Sequence, residues 1–344
     1  MNLVNSDKLK FKMQLKTRTI FWTVLILVFS FSQSCQEDKP DTPSPPKKEV
    51  KVPKFNRDSS YAFVERQVNF GPRVTNTAEH TACKDWLVSQ FKRYGATVIE
   101  QDFEAKAYTG TLLKATNIIA QFNPENKKRV LLTAHWDTRP IADYDPDEAN
   151  HDKPIPGADD GASGVGILLE IARQINLNPI DLGVDIVLFD AEDYGESKGE
   201  DYKTWCLGSQ HWGKNLHKSG YRANFGILLD MAGAKNARFT MDETSMTFAP
   251  AFMRKVWKLA QGMGYGSYFV SEQTQILIDD HLFVNQLTGI PTIDIINRPL
   301  KSKTGFGDYW HTLGDDMSVI DKRTLRAVGQ TVLAVVYHEN NGTF

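Results

Sequence analysis

Three segments of this chain carry acidic or histidine side chains in settings that could do chemistry. They are the glycine-rich run at 157–164, the acidic pair Glu192-Asp193 and the late His311. Carboxylate oxygen and imidazole nitrogen are both zinc ligands, and a catalytic zinc ion keeps one coordination position open. A carboxylate that lies beside such an ion without binding it can transfer protons. The pattern therefore predicts three ligands for one zinc ion, next to one proton-transfer carboxylate.

Each of these residues also has an ordinary explanation. Asp159 or Asp160 could cap the helix that follows the glycine-rich run. Asp230 could simply end a strand, and His311 could be a packed histidine. Taken together, these explanations require several independent coincidences at strand ends. The chemical explanation is therefore the better one.

The elements that must position these residues alternate between strands and helices. Helical apolar spacing marks residues 60–68, 79–94, 164–174, 251–262 and 325–337. Strand patterns mark residues 96–103, 117–122, 129–134, 183–189, 225–229 and 291–296. The strands at 117–122 and 129–134 are expected to be neighbours joined by a turn, and the second is apolar on both faces. The alternation predicts an α/β three-layer sandwich, with a mostly parallel, mixed central sheet flanked by helices.

Polar motifs directly follow three of these strands. His135-Trp-Asp137 follows the strand at 129–134, the run at 190–193 follows the strand at 183–189, and Asp230 follows the strand at 225–229. In open α/β sheets, ligands bind outside the carboxyl ends of the strands. We therefore expect these side chains to gather at one edge of the sheet.

The same residues resemble a known family. His135-x-Asp137, the glycine-rich run, Glu192-Asp193 and His311 follow the order found in the zinc aminopeptidases with co-catalytic metals. Within that superfamily the chain resembles more specifically the glutaminyl cyclases of the animal and Bacteroidetes type, which are single-zinc relatives. This closer resemblance covers residues 61–337, and its signatures are Ile278-Asp279-Asp280-His281, Gly289-Ile290-Pro291 and Trp310-His311-Thr312.

The resemblance to the cyclases implies a role for each motif residue. The implied zinc ligands are Asp159, Asp193 and His311, although the family commonly has Glu where this chain has Asp193. Glu192 matches the proton-transfer residue. Further roles are implied for the carboxylates that organise the proton network, Asp230 and Asp279, and for the aromatics of the substrate pocket, Trp310 and Phe306, with Trp205 as a further wall.

The implied reaction is the cyclisation of the N-terminal glutamine of peptides and proteins to pyroglutamate, with release of ammonia and with one Zn²⁺ per chain. The alternative is an aminopeptidase with two zinc ions, the second held by His135 and Asp230, and the ligand set alone does not exclude it. In the cyclase, His135 would instead hydrogen-bond the carboxylates of the site. A third hypothesis, a surface protein that binds peptides or glycans without catalysis, gives no reason for a free Glu192.

The N-terminal part indicates export. A Lys-rich start precedes an apolar run at 20–31, which is shorter than the about 20 residues that span a bilayer. Ser32-Gln33-Ser34-Cys35 resembles a lipobox, which implies a lipid on Cys35. We therefore expect a lipoprotein-type signal peptide at 1–34, a flexible Pro- and Lys-rich tether at 35–54 and a single catalytic domain at 55–344.

The composition limits the classes of partner that the protein could bind. The chain has 344 residues and a formal net charge of -2, with no basic run in its body, which argues against nucleic acid as a partner. We expect a monomeric, membrane-anchored lipoprotein that faces the periplasm or the cell surface and meets the membrane only through its lipid. Whether Cys83 and Cys206 form a disulfide stays open, and neither lies in a metal-binding Cys-x-x-Cys spacing.

Overall fold

The computed structural model describes residues 49–344. The expected signal peptide, Cys35 and most of the expected tether lie outside the described residues. Val50 and Val52 already pack against the core, and the carbonyl of Pro53 accepts a hydrogen bond of 3.0 Å from Gln330 Nε2. The packed chain thus begins a few residues before Phe55, where we placed the start of the domain.

A six-stranded mixed sheet forms the centre of the described part, in the order β1-β2-β4-β3-β5-β8. The strands β4, β3, β5 and β8 run parallel, β2 pairs antiparallel with β4, and β1 pairs antiparallel with β2. Two further strands, β6 and β7, form a small separate parallel sheet. The strands are β1 Thr97–Lys106, β2 Leu112–Phe122, β3 Arg129–His135, β4 Gly183–Phe189, β5 Gly226–Asp230, β6 Phe239–Asp242, β7 Phe269–Thr274 and β8 Thr292–Ile296.

Helices cover both faces of the six-stranded sheet, which confirms the predicted three-layer architecture. One face packs against a large core with side chains from α1, α2, α3, α6 and α8, and the other face packs against α4 and α7. β3 is buried along its whole length, as its apolar sequence predicts. The helices are α1 Arg57–Val68, α2 Ala78–Arg93, α3 Ala162–Leu177, α4 Leu207–Lys214, α5 Glu243–Phe248, α6 Pro250–Gly262, α7 Asp280–Thr288 and α8 Lys322–Asn340.

The expectation that β2 and β3 are neighbours was wrong, because β4 lies between them. Arg129, at the start of β3, forms an ion pair with Asp185 of β4, with N–O distances of 2.6 and 2.7 Å. The side-chain amide of Asn123 donates to the carbonyls of Ile180 and Leu182, just before β4. These contacts hold the start of β4 against the turn between β2 and β3.

Between β5 and β8, only α6 was predicted, from the apolar spacing at 251–262. The short β6, α5 and β7 are polar at several positions and carry no clear apolar period. The N-cap of α7 is Asp279, whose side chain accepts a hydrogen bond from the backbone N–H of Asp280, and Gly289 ends the helix with a φ of 70°. Among the described residues, no helix is both long and apolar enough to cross a membrane.

Candidate active site

The loops after β3, β4 and β5 meet at one edge of the sheet, as predicted from the strand ends. Asp137, two residues after β3, accepts hydrogen bonds from the backbone N–H groups of Glu192 (3.1 Å) and Asp193 (3.2 Å). The preceding Ala191 has a φ of 54°, so the chain turns sharply where it leaves β4. The buried carboxylate of Asp137 therefore fixes the acidic pair at the edge where Asp230 also ends β5.

Asp160, Asp193 and His311 converge on one point at this edge. His311 Nε2 lies 3.2 Å from Asp193 Oδ1 and 3.8 Å from Asp160 Oδ2. One ligand atom from each residue lies within 4.8 Å of the other two, and all three residues are buried. Asp193 Oδ2 has no hydrogen-bond partner among the described residues. Two carboxylates and one imidazole, with a buried oxygen left unpaired, fit a zinc ion with an open fourth position.

The first of the predicted ligands, Asp159, is not part of this group. The carboxylate of Asp159 points away from this group, because Asp159 Oδ1 accepts from Gly233 N at 2.7 Å and Oδ2 accepts from the Tyr309 hydroxyl. The neighbouring Asp160 takes the expected place. Asp315 holds this turn by accepting from the backbone N–H groups of both aspartates, at 2.9 and 3.1 Å. Consecutive side chains in the turn thus point to different sides.

Arg139 and Asp143 support the group from behind, and neither was predicted. Arg139 donates to Asp143 at 2.7 and 2.8 Å and to Asp193 Oδ1 at 3.3 Å. The Asp143 Oδ1 atom lies 3.5 Å from His311 Nδ1, which has no hydrogen-bond partner among the described residues. The spacing of Arg139 and Asp143, four residues apart after a strand-end motif, was the only signal in the sequence that could have pointed to this pair.

Glu192 lies beside the group of Asp160, Asp193 and His311 and is not part of it. Its Oε1 accepts a hydrogen bond from Cys206 Sγ at 3.2 Å, and a carboxylate oxygen of Asp279 lies within 4.8 Å of both side chains. Burial and the nearby charges of Asp193 and Asp279 raise the pKa of Glu192 well above its usual range, against the opposing charge of His135. Cys206 is a free thiol, as is Cys83, which belongs to the core on the opposite face of the sheet.

Asp230 and Asp279 lie next to Glu192 and His135 and complete the acidic cluster. Asp230 Oδ1 lies 3.2 Å from His135 Nε2. Burial raises the pKa of Asp230 to about 8, and the charges of Asp160 and Asp279 act in the same direction, whereas His135 opposes them. Burial likewise raises the pKa of Asp279. Several carboxyl groups therefore share a small, poorly solvated space, which disfavours their charged forms.

His135 lies behind these carboxylates. Its Nε2 atom is 3.0 Å from Asp160 Oδ1, and its Nδ1 atom is 3.5 Å from Asp137 Oδ1. The backbone of Gly161 packs so closely against the imidazole that a Cβ atom there would collide with it. His135 does not line the cavity described next. The group of His135, Asp160 and Asp230 nevertheless meets the same distance limit as the group around His311, so it is a second possible metal position.

A cavity of about 270 Å³ opens onto Glu192 and the group around His311. The predicted aromatics Phe306 and Trp310 line it, with ring centroids 4.7 Å apart, and Trp310 stacks on His311 at 3.6 Å. Trp205 forms a further wall, with its ring 5.9 Å from that of His311. Apolar side chains that the sequence did not reveal complete the lining, among them Met231, Leu277 and Ile296.

The chain belongs to peptidase family M28, whose model matches residues 117–336. Within this class its structure is similar to that of Bacteroides thetaiotaomicron glutaminyl cyclase bound to N-acetylhistamine, at 53% identity with a TM-score of 0.82, over 83% of this chain and 99% of that one. A Zn-dependent exopeptidase from Parabacteroides distasonis is similar at 54% identity, with the same TM-score and coverage.

The glutaminyl-peptide cyclotransferase of Drosophila melanogaster is 27% identical over 280 residues, which are 74% of this chain and 73% of the fly protein. These similarities confirm the resemblance to the glutaminyl cyclases that the sequence motifs predicted.

Proposed function

We infer that this protein is a glutaminyl-peptide cyclotransferase, which converts the N-terminal glutamine of peptides into pyroglutamate and releases ammonia. One observation carries this conclusion. A carboxyl group with a raised pKa, Glu192, lies at an aromatic-lined cavity beside a group of metal-binding residues, in a chain 53% identical to a glutaminyl cyclase. That arrangement suits proton transfer on a small substrate group held next to a metal ion.

Asp160, Asp193 and His311 would hold one zinc ion. When bound, zinc supplies a Lewis acid that polarises the γ-carboxamide oxygen of the substrate. The glutaminyl cyclases that the sequence resembles commonly have Glu, whose side chain is longer, at the position of Asp193. Here Arg139 holds the shorter side chain in place, because it donates both to the carbonyl of Asp193 (3.1 Å) and to its Oδ1 atom (3.3 Å).

Glu192 would move the protons of the reaction. The α-amine of the substrate attacks its own γ-carboxamide carbon, so ring closure depends mainly on correct positioning. The attacking amine must lose a proton, and the leaving nitrogen must gain one. Glu192 takes the proton from the attacking amine and delivers it to the leaving nitrogen. A carboxyl group whose pKa is raised toward the working pH is well suited to this transfer. The S–H of Cys206 restrains one oxygen of this carboxyl group.

The aromatic walls would bind the side chain of the terminal glutamine. Phe306 and Trp310 are both partly buried and pack on one another beside His311. Their rings exclude water from the reacting groups, and the cavity of about 270 Å³ accepts a small side chain and not a folded segment. The partners we propose are therefore peptide or protein N-termini that begin with glutamine.

A two-zinc aminopeptidase is the second candidate function. It is favoured by the group of His135, Asp160 and Asp230, which has the geometry of a further metal position. The similarity of the chain to a Zn-dependent exopeptidase also favours it. Against it stands the position of His135, which is separated from the cavity by the carboxylates and packed against Gly161. We therefore propose one zinc ion, with His135 as a hydrogen-bond partner of Asp160 and Asp230.

Product analysis tests the proposed reaction. The purified, zinc-loaded protein is expected to release ammonia from a dipeptide that begins with glutamine and to leave a product that amine reagents no longer label. The matched control is the same dipeptide with N-terminal asparagine. Release of free amino acids from peptides that begin with leucine or alanine, without cyclisation, would support the aminopeptidase instead.

We also propose that the protein is an exported lipoprotein anchored through Cys35. The support is the Lys-rich start, the apolar run at 20–31 and the lipobox-like Ser32-Gln33-Ser34-Cys35. Cys35→Ser is expected to move the protein from the membrane fraction to the soluble fraction, with Cys83→Ser as the matched control. Unchanged membrane association of Cys35→Ser would indicate a different anchor.

A further inference from the structure

A second layer of acidic residues lies behind Asp279, away from the cavity. We call it the inner acid cluster, and it consists of Asp242, His281 and Asp294, all buried. Neither His281 nor Asp294 lines the cavity. A carboxyl oxygen of Asp294 lies within 4.8 Å of a carboxyl oxygen of Asp279, and both oxygens lie within 4.8 Å of a nitrogen of His281. Asp279 thus lies next to both the inner acid cluster and Glu192.

Asp279 and Asp294 differ in the hydrogen bonds that their carboxyl oxygens accept. Asp279 Oδ1 accepts from the backbone N–H of Asp280 at 2.5 Å. Both carboxyl oxygens of Asp294 are buried and have no hydrogen-bond donor among the described residues. Two buried carboxylates cannot face each other without a proton or a cation between them. Since only Asp279 has a donor that stabilises its anion, the shared proton belongs on Asp294.

His281 does not neutralise Asp294. Its Nε2 atom faces Asp242 Oδ1 at 3.3 Å, whereas its Nδ1 atom is 3.9 Å from Asp294 Oδ2, beyond hydrogen-bond length. Asp242 is the carboxylate of this pair, because it also accepts from the backbone N–H of Ser245 at 2.8 Å. Burial and the charges of Asp279 and Asp242 raise the pKa of Asp294 well above its usual range, in agreement with a neutral acid.

We propose that Asp294 is a positioning residue for the reaction: as a neutral carboxylic acid it donates a hydrogen bond to Asp279 and holds that carboxylate in place beside Glu192. The proton stays on Asp294 and is not transferred to the substrate. This inference rests on the proposed cyclase function for its kinetic consequence, but its structural part, a permanently protonated Asp294, does not. A metal ion held by Asp279, His281 and Asp294 is the competing explanation.

Two substitutions separate the possibilities. Asp294→Asn keeps a donor toward Asp279, so kcat for a Gln-initiated dipeptide is expected to stay within about threefold of wild type. Asp294→Ala removes the donor, and the loss of a hydrogen bond to a charged group predicts a fall in kcat of about ten- to a hundredfold. KM is expected to change little, because Phe306 and Trp310 remain. Zinc content is expected to equal that of wild type in both variants.

An infrared measurement makes the test independent of activity and of the fold of the alanine variant. The difference spectrum of wild type minus Asp294→Asn at neutral pH is expected to show the C=O band of a neutral carboxylic acid. Absence of that band would overturn the proposal even if no cyclisation is found. It would also be overturned by an asparagine variant as impaired as the alanine variant, by an alanine variant with wild-type kcat, or by loss of a bound metal ion in Asp294→Asn.

Discussion

Two buried histidines, His311 and His135, reach Asp160 from different sides, and they differ in their access to the cavity. His311 lines the cavity, and its second nitrogen faces Asp143, which Arg139 holds. His135 is shut off from the cavity, and its second nitrogen faces Asp137, the residue that fixes the backbone of the acidic pair. The same set of ligand types, one histidine and two aspartates with Asp160 in common, is thus present twice.

Ligand type and distance do not distinguish the group around His311 from the group around His135. Both groups satisfy the same distance limit. They differ at the histidine, because His311 lines the cavity and His135 does not, although Asp160 and Asp230 do. The remaining carboxylate near His135, Asp230, has its pKa raised to about 8 by burial, so a proton can take the place of a cation there.

The two aspartates of the glycine-rich run give the largest expected effect. Asp160→Asn removes a ligand on the cavity side, so zinc binding and cyclisation are both expected to fall by at least about a hundredfold. Asp159→Asn is the matched control, and it should retain zinc because the Asp159 carboxylate bonds to Gly233 and Tyr309 instead. Zinc analysis of both variants checks the assignment. Zinc lost from Asp159→Asn but kept by Asp160→Asn would reverse it.

Glu192→Gln is expected to leave zinc and fold intact while kcat falls by about a hundredfold, the usual scale of general acid/base catalysis. The amide fills the same space but cannot accept a proton. Steady-state kinetics with a Gln-initiated dipeptide measure the loss, and Glu125→Gln, in the exposed turn between β2 and β3, serves as the control. Activity within a few fold of wild type would remove Glu192 from the mechanism.

A smaller effect is expected for His135→Ala. This variant loses the hydrogen bonds to Asp160 and Asp230, and the loss of such an outer partner predicts a fall in kcat of about tenfold. The zinc content should not change. A fall from two zinc ions to one, together with loss of peptide hydrolysis, would instead make His135 a ligand of a second metal.

The smallest effect is expected for Cys206→Ala. The thiol is a weak donor to Glu192, so its removal should lower kcat by no more than about threefold. Cys83→Ala, another buried thiol, should leave kcat unchanged and affect only thermal stability. If Cys206→Ala instead lowers kcat as strongly as Glu192→Gln, the thiol takes part in the proton transfer itself.

The sheet edge that carries the site could be predicted because strand patterns and polar strand ends are local signals. His135, Glu192 and Asp230 all lie where those signals place them. The choice between Asp159 and Asp160 could not be predicted, because it depends on Asp315 and Gly233, which are remote in the chain. The position of β4 between β2 and β3 also depends on long-range contacts, such as that of Arg129 with Asp185.

Zinc titration of the metal-free protein tests the central claim most directly. Cyclisation of a Gln-initiated dipeptide is followed as zinc is added, and bound zinc is measured on the same samples. The single-metal site at Asp160, Asp193 and His311 predicts that activity rises in proportion to bound zinc and reaches its plateau at about one ion per chain. A plateau at two ions, with hydrolysis of Leu-initiated peptides appearing alongside the second ion, would contradict it.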